Sequence, residues 1–375
     1  MITINIYSKF NKTIGDLMKK EKISPFQYFW LSTNMIISTI FLLIPKIIIE
    51  DGREYAWIVP IVSGSTIAVI HYLILKVGCN FSNKNIIADL KEILGPFIGT
   101  ILLIPYILLV LHTTSLMMLQ GVEFVTFVMP SKSIIGFWLA IGLLASYISY
   151  KGIETIARMA QFAIIIMFTA ILTIVILNLL SMNKEWLKPF SINYKNVITA
   201  SLTPAHWFLI IPNLSLIFKP YFTDNKRTIR ASLLGNLVAQ IMIVLLFISA
   251  LTTLGADLTS ALKFPFYTLS ALPLAGLEII IFIAWMTGVI LEVGIFYLAS
   301  LELISSLFKL KDYRILVIPF FIINTSMGIF QSEIPAVFKH IGYMVPINVL
   351  LLEIPFLIIV ISIYLIENKK DKFKE

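Results

Sequence analysis

The sequence predicts an all-α protein that crosses a membrane about ten times. Hydrophobic residues make up 58% of the 375 residues and charged residues only 13%, which is about half of the roughly 25% charge that is usual in soluble domains. Apolar runs of about 20 residues recur along the whole chain, and each could cross the ~30 Å apolar core of a bilayer as a helix. We therefore expect a polytopic helical membrane protein.

Hydropathy divides the chain into one transmembrane domain, 26–366, with an N-terminal segment, 1–25, before it and a tail, 367–375, after it. The ten predicted spans are residues 26–49, 55–77, 97–119, 134–150, 157–181, 200–219, 231–254, 274–307, 315–331 and 342–366. Between spans, residues 85–94 predict a short amphipathic helix on the surface. Residues 264–275 are too short to cross a bilayer, so we expect them to be interfacial or re-entrant.

The distribution of Lys and Arg predicts the orientation of the spans. With the N-terminus inside, 21 of the 29 Lys and Arg residues fall in inside segments and 8 in outside loops. This bias indicates that both termini are cytoplasmic. The net charge of +8 therefore comes from the basic residues that set the orientation of the spans. We expect these residues to contact anionic membrane lipid, and we expect no nucleic-acid partner.

Two spans carry unusual residues at mid-depth. Pro212 and Asn213 lie in the middle of the sixth span, and a proline removes one backbone donor from a helix. The pair indicates either a simple kink or an unwound joint that faces a ligand. The first span carries hydroxyl residues, including Ser38 and Thr39, which either pack helices or stabilise freed backbone. Ten spans also divide into two sets of five, about 26–181 and 200–366, as in transporters built from inverted repeats.

Ionisable residues inside spans are costly and usually face the bundle interior. Six residues qualify, and they are His71, His112, His206, Glu278, Glu292 and Glu353. Glu292 lies deepest and is the best candidate for a functional carboxylate, with a packing glutamate as the alternative. His112 is the next candidate, whereas His71 and His206 fit buried structural histidines more simply. We find no Lys or Arg at mid-depth, so a ligand carboxylate would need backbone amides, and a ligand ammonium could meet carbonyls or Glu292.

Motifs for other kinds of chemistry are missing from the sequence. It contains no phosphate-binding loop, no HExxH and no GxSxG, which are the signatures of common nucleotide, metal and serine chemistries. The single cysteine, Cys79, excludes an internal disulfide and a cysteine-based metal cluster. We therefore expect no enzyme, no catalytic residues, no cofactor and no metal site.

Several stretches, in order along residues 20–366, resemble a known family. These stretches are "KISPFQYFWL" before a span that ends at Pro45, Trp57 at the second span, "LKEILGPFIG" before the third, "FKPYFTDNKRTIRASLLG" after the sixth and "LEIIIFIAW" opening the eighth. Together they resemble the B subunit of spore germinant receptors, in the spore germination permease family of the amino acid–polyamine–organocation superfamily. The resemblance implies a LeuT-like fold with a five-plus-five inverted repeat and broken first and sixth helices. It also implies an amino acid ligand, A and C partner subunits, and the inner membrane of the spore.

The resemblance also implies where a ligand binds. By position it assigns Ser38, Thr39 and Ile40 to the first joint, Leu109 and His112 to the third helix, Ile210, Ile211, Pro212 and Asn213 to the sixth, and Thr287, Leu291 and Glu292 to the eighth. The family's glycines at the first joint are replaced by Ser38 and Ile40, and its glycine–glutamate pair in the sixth helix by Ile211 or Pro212 and Asn213. Gly276 stands where an arginine usually precedes the eighth helix. These departures indicate altered binding chemistry.

The expected function is therefore the germinant-sensing membrane subunit of a spore germination receptor, which binds a small molecule such as an amino acid at the membrane midplane. The alternative is a proton- or sodium-coupled amino acid transporter, with Glu292 or His112 as the coupling group. Sequence alone does not separate the two, because one fold serves both functions.

Overall fold

The computed structural model describes residues 21–40, 44–82, 84–130, 133–187, 194–332 and 337–372. In chain order the helices are α1 (Pro25–Ile40), α2 (Ile44–Gly52), α3 (Val59–Phe81), α4 (Ile86–Val128), α5 (Ile134–Lys151), α6 (Ile153–Asn178), α7 (Tyr194–Ala200), α8 (Leu202–Phe218), α9 (Asn225–Ala261), α10 (Pro265–Ala271), α11 (Leu277–Leu307), α12 (Val317–Ser332), α13 (Val337–Asn348) and α14 (Ile354–Lys372). A π-helical segment, Val349–Glu353, joins α13 to α14. Short 3₁₀ turns cover Arg53–Tyr55, Leu179–Ser181, Lys184–Leu187, Lys219–Tyr221 and Tyr313–Leu316.

Among the described residues, nine helical stretches are long and apolar enough to cross a membrane. They are Val59–Cys79, Ile86–Val128, Ile134–Lys151, Ile153–Ser181, Tyr194–Tyr221, Asn225–Ala261, Leu277–Leu307, Tyr313–Ser332 and Met344–Ile366. In order they match the second to tenth predicted spans. The first predicted span is represented by α1 and α2, which flank residues 41–43, outside the described ranges. The all-α polytopic fold is confirmed.

Helix pairing follows the symmetry of an inverted repeat. Helix α1 packs along α9, α8 packs along α3, and α4 packs along α11. In terms of spans, these pairs are first with seventh, sixth with second, and third with eighth. Exchanging the two sets of five spans turns the first pair into the second and leaves the third unchanged, as an inverted repeat requires. The division at about 26–181 and 200–366 stays a prediction.

The expected unwound joint at Pro212 and Asn213 is wrong, because α8 is helical throughout from Leu202 to Phe218. Between α7 and α8 the backbone at Ser201 also stays right-handed helical, with φ −70° and ψ −16°, and the N–H of Ser201 donates to the carbonyl of Val197 at 3.0 Å. Pro204 removes only one bond there, since it has no N–H to donate to the carbonyl of Ala200. Pro212 leaves the helix intact because the whole span is enclosed, with 94% of its most apolar window buried, and packed neighbours hold a helix across a proline.

Ser38, Thr39 and Ile40, the expected first joint, are the last three residues of helix α1, directly before residues 41–43, which lie outside the described ranges. The side chains of Thr39 and Ile40 lie outside the described residues, as do 1–20 and 373–375 of the predicted terminal segments.

The predicted surface helix 85–94 is helical but is not simply a surface element. It forms the start of α4, separated from the rest by a kink at Gly95, where φ is +80°. Its apolar face, with Ile86, Ile87 and Leu90, is buried in the core. The other inter-span segment contains α10, whose Phe266 is buried against Phe247. Both segments therefore close the ends of the bundle by packing.

One end of the bundle, which we call the base, is the end where α1 begins, and a short N-terminal strap closes it. The strap pairs Ile23 with the chain after α8, through Ile23 N–H to Tyr221 O at 2.9 Å and Thr223 N–H to Ile23 O at 3.1 Å. The carboxylate of Glu21 accepts a hydrogen bond from Arg314 Nη2 at 3.2 Å. Burial raises the pKa of Glu21 above its usual 4.5, and backbone N–H groups at the start of α6 and Arg314 oppose that rise.

Gly152→Ala is expected to loosen this strap. Gly152 has φ +91°, and an added Cβ would lie 2.1 Å from a Glu21 carboxylate oxygen. With φ +91° and ψ 174°, Gly152 lies in a backbone region that is essentially restricted to glycine, which costs alanine roughly 1–3 kcal/mol. Displacing the carboxylate from its donors costs about 1.5–3 kcal/mol more. Gly95→Ala is the matched control, because Gly95 has a similar backbone conformation, with φ +80° and ψ 162°, and nothing within 4 Å of an added Cβ. Thermal unfolding in one detergent should show the larger loss for Gly152→Ala. Equal losses of stability in the two variants would mean that displacing Glu21 contributes nothing to the destabilisation.

Candidate functional site

A buried cavity lies between α4, α8, α11 and the π-helical segment. Its volume is about 20 Å³, and its walls are Tyr106, Leu109, Val110 and Thr113 from α4, His206, Ile210, Asn213 and Leu214 from α8, Phe296 from α11 and Glu353 from the π-helical segment. This is far below the 300–1,000 Å³ that is typical of sites for drug-sized ligands. In this conformation the cavity is nearly closed, and a larger molecule requires its walls to move apart.

Helical spacing explains why these side chains meet. Residues 106, 109, 110 and 113 recur at intervals of three and four, as do residues 206, 210, 213 and 214, so each set lines one face of its helix. Glu353 is placed by the π-helical segment, where the N–H of Ile354 donates to the carbonyl of Val349. Pro355 favours this widening because it cannot donate the regular bond to the carbonyl of Leu351. Such π-bulges are frequent at functional sites.

The polar end of the cavity contains a buried pair. His206 Nδ1 is hydrogen-bonded to Glu353 Oε1, and the two side chains are 4% and 2% exposed. Tyr106 donates its hydroxyl to the backbone carbonyl of Asn213 at 3.1 Å, and its ring stacks on Phe356 with the ring centroids 4.5 Å apart. These contacts fix the positions of the polar groups before any ligand arrives.

Two acceptor atoms at this end have no hydrogen-bond partner among the described residues. They are the second carboxylate oxygen of Glu353, Oε2, and the side-chain oxygen of Asn213, Oδ1. The other walls are mainly aliphatic and aromatic. The cavity thus combines apolar walls with a small set of buried acceptors, which is the usual composition of a small-molecule site.

Three of the twelve sequence-predicted residues line this cavity, and they are Leu109, Ile210 and Asn213. Ser38 lies elsewhere, at the contact between α1 and α11, where its carbonyl accepts the indole N–H of Trp285 at 3.0 Å. Its hydroxyl donates to Asn34 Oδ1 at 3.3 Å. Ser38 thus joins two helices in this structure.

The remaining predicted residues with described side chains also lie outside the cavity lining. His112 faces α12, where its Nδ1 lies 3.0 Å from Gln331 Nε2. Thr287 is half-buried and donates its hydroxyl to the carbonyl of Ile283 at 2.9 Å. The last four are buried in the core but are not part of the walls, and they are Ile211, Pro212, Leu291 and Glu292.

The pair that defines the polar end is not predicted by the sequence. The pattern there favours a structural role for His206 and favours Glu292 over Glu353 as the functional carboxylate. One signal for His206 was present, because it precedes Asn213 by seven residues and therefore shares its helix face. Glu353 could not be found in this way, because its position depends on how the last span packs against α8. In the described part of the chain, no three His, Cys, Asp or Glu side chains group as metal ligands would.

A family model described as "Spore germination protein" matches residues 22–335 of the chain. The match covers most of the sequence, from the strap at the base to the end of α12. No curated protein shows significant sequence similarity to the chain.

Solved structures of transporters share the fold. Mhp1, a nucleobase-cation-symport-1 family transporter in a closed conformation with bromovinylhydantoin bound, superposes with a TM-score of 0.73 at 14% identity, over 92% of this chain and 78% of Mhp1. MhsT in complex with L-phenylalanine superposes with a TM-score of 0.68 at 11% identity, over 92% of this chain and 89% of MhsT. A substrate-bound, outward-open Na⁺-coupled sialic acid symporter superposes with a TM-score of 0.63 at 10% identity, over 85% of this chain and 77% of the symporter. The chain therefore has the LeuT-like fold.

Proposed function

Because the chain belongs to the spore germination protein family, we propose that it is the germinant-sensing membrane subunit of a spore germination receptor. Its ligand is a small molecule such as an amino acid, bound in the cavity between α4, α8, α11 and the π-helical segment. The observation that carries this proposal is the buried polar end of that cavity, where unpartnered acceptors of Glu353 and Asn213 face apolar walls. Family and fold are those of permeases and transporters rather than enzymes.

The structural relatives support a small ligand in this fold. Mhp1 has a hydantoin bound, and MhsT is in complex with an amino acid, L-phenylalanine. For the present chain, the cavity has a volume of about 20 Å³ in this conformation, so we propose that its walls move apart when a ligand of that class binds. Leu109, Ile210 and Asn213, which the sequence also predicted, form part of the proposed binding surface.

The proposed setting is the inner membrane of a spore, in a complex with germinant receptor A and C subunits and with lipid around the helices. We propose that the base of the bundle faces the cytoplasm. The excess of Lys and Arg in the segments of that end supports this orientation. Both termini would then be cytoplasmic.

A second candidate function is proton- or sodium-coupled amino acid transport. The buried His206–Glu353 pair favours it, because ionisable residues inside membrane spans often belong to proton pathways. Sensing requires only that the ligand shift the population of conformations. Transport requires in addition that the cavity open to both sides of the membrane.

A ligand screen followed by an uptake assay separates these functions. The purified chain, alone and with its proposed partner subunits, is screened against the common L-amino acids by thermal shift. Each hit is then tested for uptake into proteoliposomes with and without proton and sodium gradients. Binding without uptake is the result expected for a receptor, and gradient-dependent accumulation would identify a transporter. If no small molecule binds in either preparation, the proposed function fails.

A further inference from the structure

The acceptor atoms in the cavity restrict the chemistry of its ligand. Glu353 is 2% exposed and Asn213 is 6% exposed, and each offers one oxygen without a donor among the described residues. A buried acceptor without a donor costs roughly 1–3 kcal/mol. A ligand that presents several N–H groups removes this cost at both atoms, whereas one that presents only acceptors does not.

The same walls offer little to an anionic group. Among the described residues the lining contains no Lys or Arg, and the one basic side chain described there, that of His206, is hydrogen-bonded to Glu353. The hydroxyl of Tyr106 is also engaged, with the carbonyl of Asn213. Because α8 is continuous from Leu202 to Phe218, its backbone N–H groups along the cavity are committed to helical bonds. A carboxylate would therefore meet neither a free cation nor a cluster of free amides.

The apolar part of the cavity defines the rest of the ligand. Its walls are Leu109, Val110, Ile210, Leu214 and Phe296, which match a short alkyl group. The preference for such a group follows from burial of its apolar surface, at about 25 cal/mol per Å².

We infer that the cavity recognises a protonated primary amine on a short alkyl chain, through Glu353 Oε2 and Asn213 Oδ1. The amino group carries the recognition, and a ligand's carboxylate is dispensable. This inference rests on the proposed function, because it specifies what the same cavity takes. An amino acid binds there through its ammonium end.

The test compares an amino acid with its two halves on the purified full chain by calorimetric titration. L-valine is compared with isobutylammonium, which lacks the carboxylate, and with isovalerate, which lacks the amine. L-alanine, ethylammonium and propionate form a second trio. We expect the amines to bind within about tenfold of the amino acids and the carboxylates not to bind. Sodium and potassium chloride at equal ionic strength show whether an inorganic cation competes for the acceptors, and competition would support a cationic site.

The outcomes separate the inference from the proposed function. If an amino acid binds and its amine does not, the inference fails while the proposed function stands. If neither amino acids nor amines bind, the proposed function itself fails. Asn213→Leu, which removes one acceptor at similar size, should weaken isobutylammonium binding at least tenfold. Glu302→Gln is the control, because Glu302 bonds to Tyr221 at the base and should leave binding unchanged. Equal affinities of these two variants would overturn the assignment of Asn213.

Discussion

Lys219→Met is expected to destabilise the protein by about 3–5 kcal/mol, the usual cost of removing one partner from a buried ion pair. Lys219 Nζ pairs with Asp89 Oδ2, and both side chains are fully buried, at 0% exposure. Lys219 also donates to the carbonyl of Gly78 at 3.0 Å, and Tyr364 donates its hydroxyl to Asp89 at 2.9 Å. Without the lysine, the carboxylate of Asp89 stays buried with no cation beside it. Thermal unfolding in a fixed detergent measures the loss.

Two further variants make this prediction specific. Lys84→Met breaks the pair with Glu92, whose side chains are 57% and 61% exposed, so its cost should stay within about 1 kcal/mol. The double variant Lys219→Met with Asp89→Asn removes both charges and should recover most of the lost stability. If Lys219→Met unfolds no earlier than Lys84→Met, the buried pair does not hold the base together.

The buried pair matters for function because of the elements that it joins. Asp89 lies at the start of α4, Lys219 directly follows α8, and Gly78 and Tyr364 lie at the base ends of α3 and α14. Together with the strap at Glu21 and Ile23, these contacts close the base beneath the cavity. A conformational change that opens the cavity toward the base must break them.

Leu109→Phe is expected to lower ligand affinity at least a hundredfold, because Leu109 forms part of the wall of a small cavity and the added ring takes up the space that a ligand needs. Overpacking of an enclosed site also strains its walls. The matched control is the same substitution one residue earlier. Leu108 is 58% exposed whereas Leu109 is 8% exposed, so Leu108→Phe faces away from the cavity and should bind normally. Titration of a screening hit into both variants measures the difference, and equal affinities would place the ligand elsewhere.

The spans could be predicted from the sequence because each is a long apolar run whose ends are marked by charge. The details inside the spans depended on packing. Pro212 is a helix breaker by its local chemistry, but the surrounding helices keep α8 helical through it. Local propensity therefore did not determine the backbone conformation at this buried position.

The part of the candidate site that follows from which residues share a helix face could be predicted. Leu109, Ile210 and Asn213 lie where the family resemblance placed them, on the faces of the third and sixth spans that meet. Glu292 was favoured over Glu353 because it is deeper in its own span. Depth in one span does not determine which carboxylate faces the cavity, since that depends on the rotation of each helix and, for Glu353, on a π-helical turn. Neither quantity can be read from hydropathy.

The central claim is that the ligand binds against Glu353 in the cavity, and the most direct measurement compares two glutamine variants. Calorimetric titration of the best ligand from the screen is carried out on Glu353→Gln and on Glu292→Gln, which are both buried carboxylates in the membrane domain. We expect Glu353→Gln to lose at least tenfold in affinity and Glu292→Gln to retain the affinity of the unmodified protein. Loss of binding in Glu292→Gln with normal binding in Glu353→Gln would contradict the account and place the site at α11.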